Sequence, residues 1–194
     1  MKEYLVYEEK ASRLELFVRI FYSFVLSIVV SLYSLLSSIV SIFQWIVILI
    51  LGKRSEMLNG IISGFCTYYV SIMSYCYLIT DERPGIAPKN MSVFLNGFQY
   101  LVYEEKASRL ELFVRIFYSF VLIIVAGLYS LLASIAHTFQ WIMILILGRR
   151  SEMLNEIISG FCTYYVSIMS YLHLITDERP KLVPTHFEIS LEIE

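Results

Sequence analysis

Between Ile20 and Leu51 the sequence has no charged residue, no proline and no glycine. A water-exposed helix needs charge along one face, and proline or glycine would break a helix, so this run excludes both a solvated helix and an interrupted one. Charge is scarce in the whole chain: 16% of residues are charged against 58% hydrophobic, with mean hydropathy +0.68, which excludes the composition of an ordinary soluble domain. The net charge of -2 and pI near 6.0 leave no basic stripe, so no nucleic-acid partner is expected. The three cysteines, Cys66, Cys76 and Cys162, stand in apolar runs with no Cys-x-x-Cys or Cys/His spacing, which excludes a metal cluster or redox pair and reads as packing. No nucleophile with its base, no paired carboxylates and no metal set recurs along the chain. Neither an enzyme nor a cofactor is therefore expected, and no catalytic or metal-binding residue is assigned. The first apolar run follows Glu3, Glu8, Glu9 and Glu15 without a small-residue cleavage site, so a cleavable leader is not expected.

What the chain does have is itself, twice. Tyr4 to Pro84 recurs at Tyr100 to Pro180 with a constant offset of 96 residues; of 81 aligned positions 12 differ and 69 match. This is a tandem duplication, and each copy is expected to form the same unit. The organisation is residues 1–90 as the first repeat, 91–103 as linker, 104–184 as the second repeat and 185–194 as a terminal strand.

In each copy the uncharged run closes on a basic tip, Gly52-Lys53-Arg54-Ser55 or Gly148-Arg149-Arg150-Ser151. At 1.5 Å per residue the first run is about 48 Å of helix against a hydrocarbon core of about 30 Å. Its start, Leu14 to Phe24 with Arg13 and Arg19, is therefore expected at headgroup level. A second span from about Met57 to Ile79 follows, with Ser55 as its cap and Thr80-Asp81-Glu82-Arg83-Pro84 as its end. The expected fold is mainly α and integral to the membrane: four transmembrane helices as two tandem helical hairpins.

Two hairpins of one orientation would leave both termini and the linker on one side. That side would hold Lys2, Lys10, Arg13, Arg19, Arg83, Lys89, Lys106, Arg109, Arg115, Arg179 and Lys181, against Lys53, Arg54, Arg149 and Arg150 at the tips. The excess predicts a multi-pass cell-membrane protein with cytoplasmic termini. Short β-strands are expected on the same side. Phe187, Ile189, Leu191 and Ile193 alternate with Glu188, Ser190, Glu192 and Glu194, and Asn96-Gly97 suits a two-residue turn before Tyr100 to Tyr103. Tyr4 to Tyr7 would pair with the terminal strand, within the chain or in a neighbour, which makes Phe187, Ile189 and Leu191 candidates for strand addition.

Small and hydroxyl residues mark a helix-packing seam at Ser23, Ser27, Ser31, Ser34, Ser38 and Ser41 in the first span and at Gly60, Gly64, Thr67, Ser71 and Ser74 in the second. Copy two retains Gly127, Ser130 and Ser134, then Gly160, Thr163, Ser167 and Ser170. The period near 3.5 residues is that of a left-handed helix pair, and small residues let backbones approach where lipid removes the hydrophobic drive. The same hydroxyls, lining a polar path instead, would suit a channel or transporter. Arg13, Arg19, Arg109 and Arg115 are candidate lipid headgroup contacts. His137 and His173 replace Ser41 and Tyr77 and lie too far apart along one hairpin to share a metal. Gln44 and Gln140, each before a tryptophan, read as interfacial amides, and Glu156 replaces Gly60 one turn into its helix.

Ser12-Arg13, Gly52-Lys53, Gly64, Tyr75 and Thr80-Asp81 with Pro84, repeated as Ser108-Arg109, Gly148-Arg149, Gly160, Tyr171 and Thr176-Asp177 with Pro180, resemble a prokaryotic membrane family of unknown function. It is the family numbered four thousand three hundred eighty-nine. The chain departs from that pattern at Ser55 and Ser151, where the family prefers proline, and at Glu82-Arg83 and Glu178-Arg179. The resemblance implies a fold and no activity. The function expected is that of a structural or assembly protein, self-associating or a small subunit of a larger complex. Its partners would be membrane lipid and itself or other membrane subunits. A small channel or transporter, or a lipid-binding, membrane-shaping module, are the alternatives.

Overall fold

The computed structural model describes residues 7–86 and 103–182. Each copy folds as a helical hairpin: α1 (Arg13–Leu51) with α2 (Glu56–Cys76), and α3 (Arg109–Leu147) with α4 (Glu152–Leu172). The long helices start where Ser12 and Ser108 accept the backbone N–H of Glu15 and Glu111, and stop where Gly52 and Gly148 turn left-handed at φ 70°. Only glycine adopts that conformation without strain, so the sharp tip is encoded by one residue. Ser55 and Ser151 take the cap backbone geometry but their side chains cap nothing. The tip is closed instead by Gln44 and Gln140, whose Oε1 accepts the backbone N–H of Ser55 at 3.3 Å and of Ser151 at 3.1 Å. These glutamines are fully buried, not interfacial as the sequence suggested.

α1 and α3 are each long and apolar enough to cross a membrane. α2 and α4 are shorter and more polar, with Asn59, Thr67, Ser71 and Ser74 and their counterparts buried. The expectation of four spans is thus narrowed to two helices of that character among the described residues. α2 ends at Cys76, three residues earlier than expected, because Leu78 turns left-handed at φ 66° and Ile79 returns its N–H to Ser74.

The hairpins are not parallel. Asp81, at the base of the first, bonds Arg150 at the tip of the second, while Arg54 at the first tip bonds Asp177 at the second base. The expectation of one shared orientation is therefore corrected. Gly85 and Ile86 fold back along α2, where the Tyr68 hydroxyl reaches both carbonyls, and Tyr103 is next found at the first tip, donating to Arg54 O at 3.1 Å. Copy two begins at the opposite end of hairpin one from its base, and is thereby inverted. The two copies are related by a pseudo-twofold axis near Tyr69 and Tyr165, whose rings are 5.9 Å apart between α2 and α4.

The expected strands are not seen among the described residues, which carry only isolated antiparallel bridges, Lys10 with Arg149 and Lys53 with Lys106. Apart from Tyr7 and Tyr103, the strand candidates, including Phe187, Ile189 and Leu191, lie outside the described residues.

Candidate functional site: two interlocking junctions

The inversion creates two related junctions, each joining a base to a tip. In the first, Arg150 is entirely buried and its donors are spent on the other hairpin. Nε donates to Leu78 O at 2.6 Å, Nη1 to Lys10 O at 2.6 Å and Glu8 O at 3.1 Å, and Nη2 to Asp81 Oδ1 at 2.5 Å. Asp81 also receives Arg19 Nη2 at 2.9 Å and the Ser12 backbone N–H at 2.8 Å, so one carboxylate fixes three chain segments. The second junction repeats this: Arg54 reaches Leu174 O, Lys106 O, Glu104 O and Asp177, which also holds Arg115 and the Ser108 N–H. A guanidinium is suited to this task because its planar array of N–H groups can meet carbonyls and a carboxylate together.

Leu78 and Leu174 plug the junctions. Leu78 packs with Leu16 and Ile144, and Leu174 with Ile48 and Leu112. A leucine at positive φ is strained by about 1–2 kcal/mol. The plug and the carbonyl that receives arginine offset that cost.

The four arginines picked out by sequence fall into two classes. Arg19 and Arg115 are buried, stacked over Tyr75 and Tyr171 at 4.4 and 4.3 Å and paired with the junction aspartates. Arg13 and Arg109 donate to Ile146 O and Ile50 O, capping the last turn of the other copy's long helix. The structure thus engages all four with protein. Sequence reasoning missed the clamping role of Arg54 and Arg150, whose partner aspartates lie across the pseudo-axis. Outside the junctions, Glu15 and Glu111 each accept two bonds from Arg83 or Arg179 and one from Tyr75 or Tyr171. Those bonds push the Arg83 and Arg179 guanidiniums above their ordinary value.

The small-residue stripe divides. Gly64 and Gly160 face tyrosine hydroxyls so closely that an added Cβ would lie 2.8 Å from Tyr33 and 2.5 Å from Tyr129. Thr67, Ser71 and Ser74, with Thr163, Ser167 and Ser170, are buried. Gly60 has open space at its Cβ, as has Gly127. Ser23 meets Cys76 Sγ at 3.4 Å and Ser41 meets His173 Nδ1 at 3.3 Å. Ser27, Ser31 and Ser38 are exposed and bond carbonyls of their own helix, as do Ser130 and Ser134. Ser34 is half-buried, and the fully buried serine of α1 is Ser37, which the stripe did not include. His137 lies edge-on to Tyr77 and His173 to Phe65, at opposite junctions. No group of three potential metal ligands occurs among the described residues.

The family described as "Domain of unknown function (DUF4389)" matches at residues 13–86 and again at 109–183. No curated protein and no solved structure matches the chain.

Proposed function

The chain belongs to the DUF4389 family, present here as two copies, and from that premise we propose that it is a structural protein of the cell membrane. In this reading the duplicated hairpins form one clamped unit that offers the outer faces of α1 and α3 to lipid and to further subunits. One observation carries the reading. Phe21, Leu32, Ile42 and Ile50 on α1, and Phe117, Leu128, Ile135 and Ile146 on α3, are exposed along the length of helices that are otherwise uncharged after Arg19 and Arg115. A soluble protein rarely exposes contiguous apolar area beyond a few hundred Å². The aromatic contact between α2 and α4, with Phe65 and Phe161 flanking the tyrosine pair, favours a packed interior over a conducting path.

An inverted pair in one bilayer has its pseudo-axis in the membrane plane, as in transporters built from inverted repeats. Lys10 and Arg149 would then emerge on one face and Lys53 and Lys106 on the other. The exposed Ser31 and Ser38, with the adjoining Ser34, would serve contacts between units. The test is extraction of native membranes, first with alkaline carbonate and then in mild detergent. Retention through carbonate, then a particle well above 22.6 kDa containing this chain alone or with fixed partners, is expected. Release by carbonate would overturn the membrane reading, and a lone monomer the assembly reading. Ser31→Leu, Ser34→Leu and Ser38→Leu together should reduce the particle without unfolding the hairpins.

A further inference from the structure

The exposed apolar faces of α1 and α3 are longer than a bilayer can cover. After Arg13 the charged residues of α1 are Glu15 and Arg19, both buried, so the helix exposes no charge from Leu14 to Leu51. The same holds for α3 from Leu110 to Leu147, where Glu111 and Arg115 are buried. At about 1.5 Å per residue each face is about 57 Å long. A hydrocarbon core is about 30 Å thick, and a helix inclined by about 40° would still present about 44 Å to it.

Charge on the other side of the same turns fixes where the surplus lies. Arg83, its side chain 48% exposed, bonds Glu15 and lies over the Tyr22 ring, so water or headgroups reach hairpin one at the level of residues 15–22. Phe17 and Phe21, 53% and 78% exposed, stand at that level on the opposite side of α1. Arg179, bonded to Glu111 and set over Tyr118, repeats the mismatch with Phe113 and Phe117 at the far end. A leaflet whose headgroups are level with these arginines ends before its chains cover those phenylalanines. A protein surface can continue past that level.

We propose that the surface is a second copy of this chain, the two copies pairing through their α1–α3 faces. The inference rests on the membrane reading, which supplies the bilayer whose thickness the face exceeds. α1 and α3 are neighbours, each backed by the short helix of its own hairpin, so Phe17, Ile28 and Leu35 share a side with Phe113, Ile124 and Leu131. That side, about 57 Å by about 20 Å, amounts to on the order of 1,000 Å², above the roughly 800 Å² that each partner of a standard interface buries. Covering it strands no serine hydroxyl: Ser27, Ser31, Ser38, Ser130 and Ser134 already donate to carbonyls of their own helix. Contact between two identical faces is isologous and closes at two copies.

The full chain is extracted in mild detergent and its copies per particle are counted by native mass spectrometry. Two copies of the 22.6 kDa chain are expected. Phe17→Lys with Phe113→Lys puts charge at headgroup level if the face meets lipid, where it is tolerated, and inside the contact if two copies meet there. It should reduce the pair to single copies at an unchanged unfolding midpoint. Met57→Lys with Met153→Lys, also exposed but on α2 and α4, should keep the pair. A second measurement needs no charged variant. In native membranes, and in a background free of the three native cysteines, Ser31→Cys should link copies through a short bis-maleimide, whereas Leu36→Cys, turned to the flank, should not. A count other than two, a pair that survives Phe17→Lys with Phe113→Lys, loss of the pair in Met57→Lys with Met153→Lys, or linkage at 36 without linkage at 31 would overturn the proposal. Release by carbonate would overturn the membrane reading instead and leaves the copy number in detergent readable.

Discussion

Asp81→Asn is the most informative single change, because one carboxylate serves three segments. Its Oδ1 receives Arg150 at 2.5 Å and Arg19 at 2.9 Å, and its Oδ2 the Ser12 N–H at 2.8 Å. The asparagine keeps its shape but only one acceptor oxygen, so the change removes the charge and one hydrogen bond: with the oxygen left on the arginines, the amide NH2 faces the Ser12 N–H. The two arginine side chains are 0% and 7% exposed, while Asp81 is 27% exposed. Removing one partner of a buried pair costs about 3–5 kcal/mol, and the partial exposure of Asp81 together with the retained acceptor argues for the lower end, about 3 kcal/mol. Against a typical total of about 5–15 kcal/mol, that is a large fraction. Equilibrium unfolding in mixed micelles, followed by tryptophan fluorescence, measures it. Asp177→Asn should cost a similar amount, since its geometry repeats. A double-mutant cycle of Asp81→Asn with Arg150→Met isolates the pair and should give a coupling above about 1 kcal/mol. A single-mutant cost within the range of an exposed ion pair, below about 1 kcal/mol, would refute the claim that this junction locks the hairpins.

In a background free of Cys66, Cys76 and Cys162, the pair Lys10→Cys and Arg149→Cys should form a disulfide within one chain, as their antiparallel bridge implies; cross-linking only between chains would show that hairpins pair across molecules. Membrane-impermeant labelling should group positions 10 and 149 on one side and 53 and 106 on the other, and grouping 10 with 106 would restore parallel hairpins. Gly64→Val should destabilise by about 1–3 kcal/mol, because Tyr33 must yield to the new side chain; an unchanged midpoint would mean the hydroxyl moves freely. Ser37→Ala should be neutral or stabilising by about 1 kcal/mol, since its buried hydroxyl has no partner and copy two carries Ala133 there.

The helices were legible because their signals are local. An uncharged run ended by Gly52 can do little else than form a long helix and a sharp turn. Gly64, Thr67, Ser71 and Ser74 share one face of α2 by their spacing, but nothing in the sequence singled out Tyr33, whose hydroxyl faces Gly64. The inversion was not legible, since it is expressed in contacts between the copies, Arg150 with Asp81 and Arg54 with Asp177, that leave no periodic trace in the sequence. With the orientation misread, the protein partners of the arginines were missed as well. Arg19 and Arg115 stood out as charges beside apolar runs, but their partners include aspartates that are also bound from the opposite hairpin's tip. Gln44 was misplaced for a related reason, because a polar residue near a tip can close the tip's own backbone instead of meeting water.

Twofold geometry also explains the form that divergence between the copies has taken. A contact across the axis pairs residue 41 with 173 and, by the same operation, 137 with 77. In a homodimer of single hairpins both ends would carry one pair, so a histidine introduced at either position would appear at both ends. Duplication removes that constraint. Here the second copy supplies both histidines and the first supplies both partners, Ser41 and Tyr77, so each junction receives one histidine in a different setting. At one end His173 meets a hydroxyl at 3.3 Å, and at the other His137 lies edge-on to a phenol ring at 5.7 Å. The differences at 42 and 76 fall on the same walls, so four of the 12 substituted positions distinguish the two junctions while both clamps are kept unchanged. Exchanging residues 41 with 137 and 77 with 173 moves each histidine to the other copy and preserves both pairs; it should leave the unfolding midpoint unchanged, and a lowered midpoint would show that the residues at 42 and 76 are matched to the histidine of their own junction.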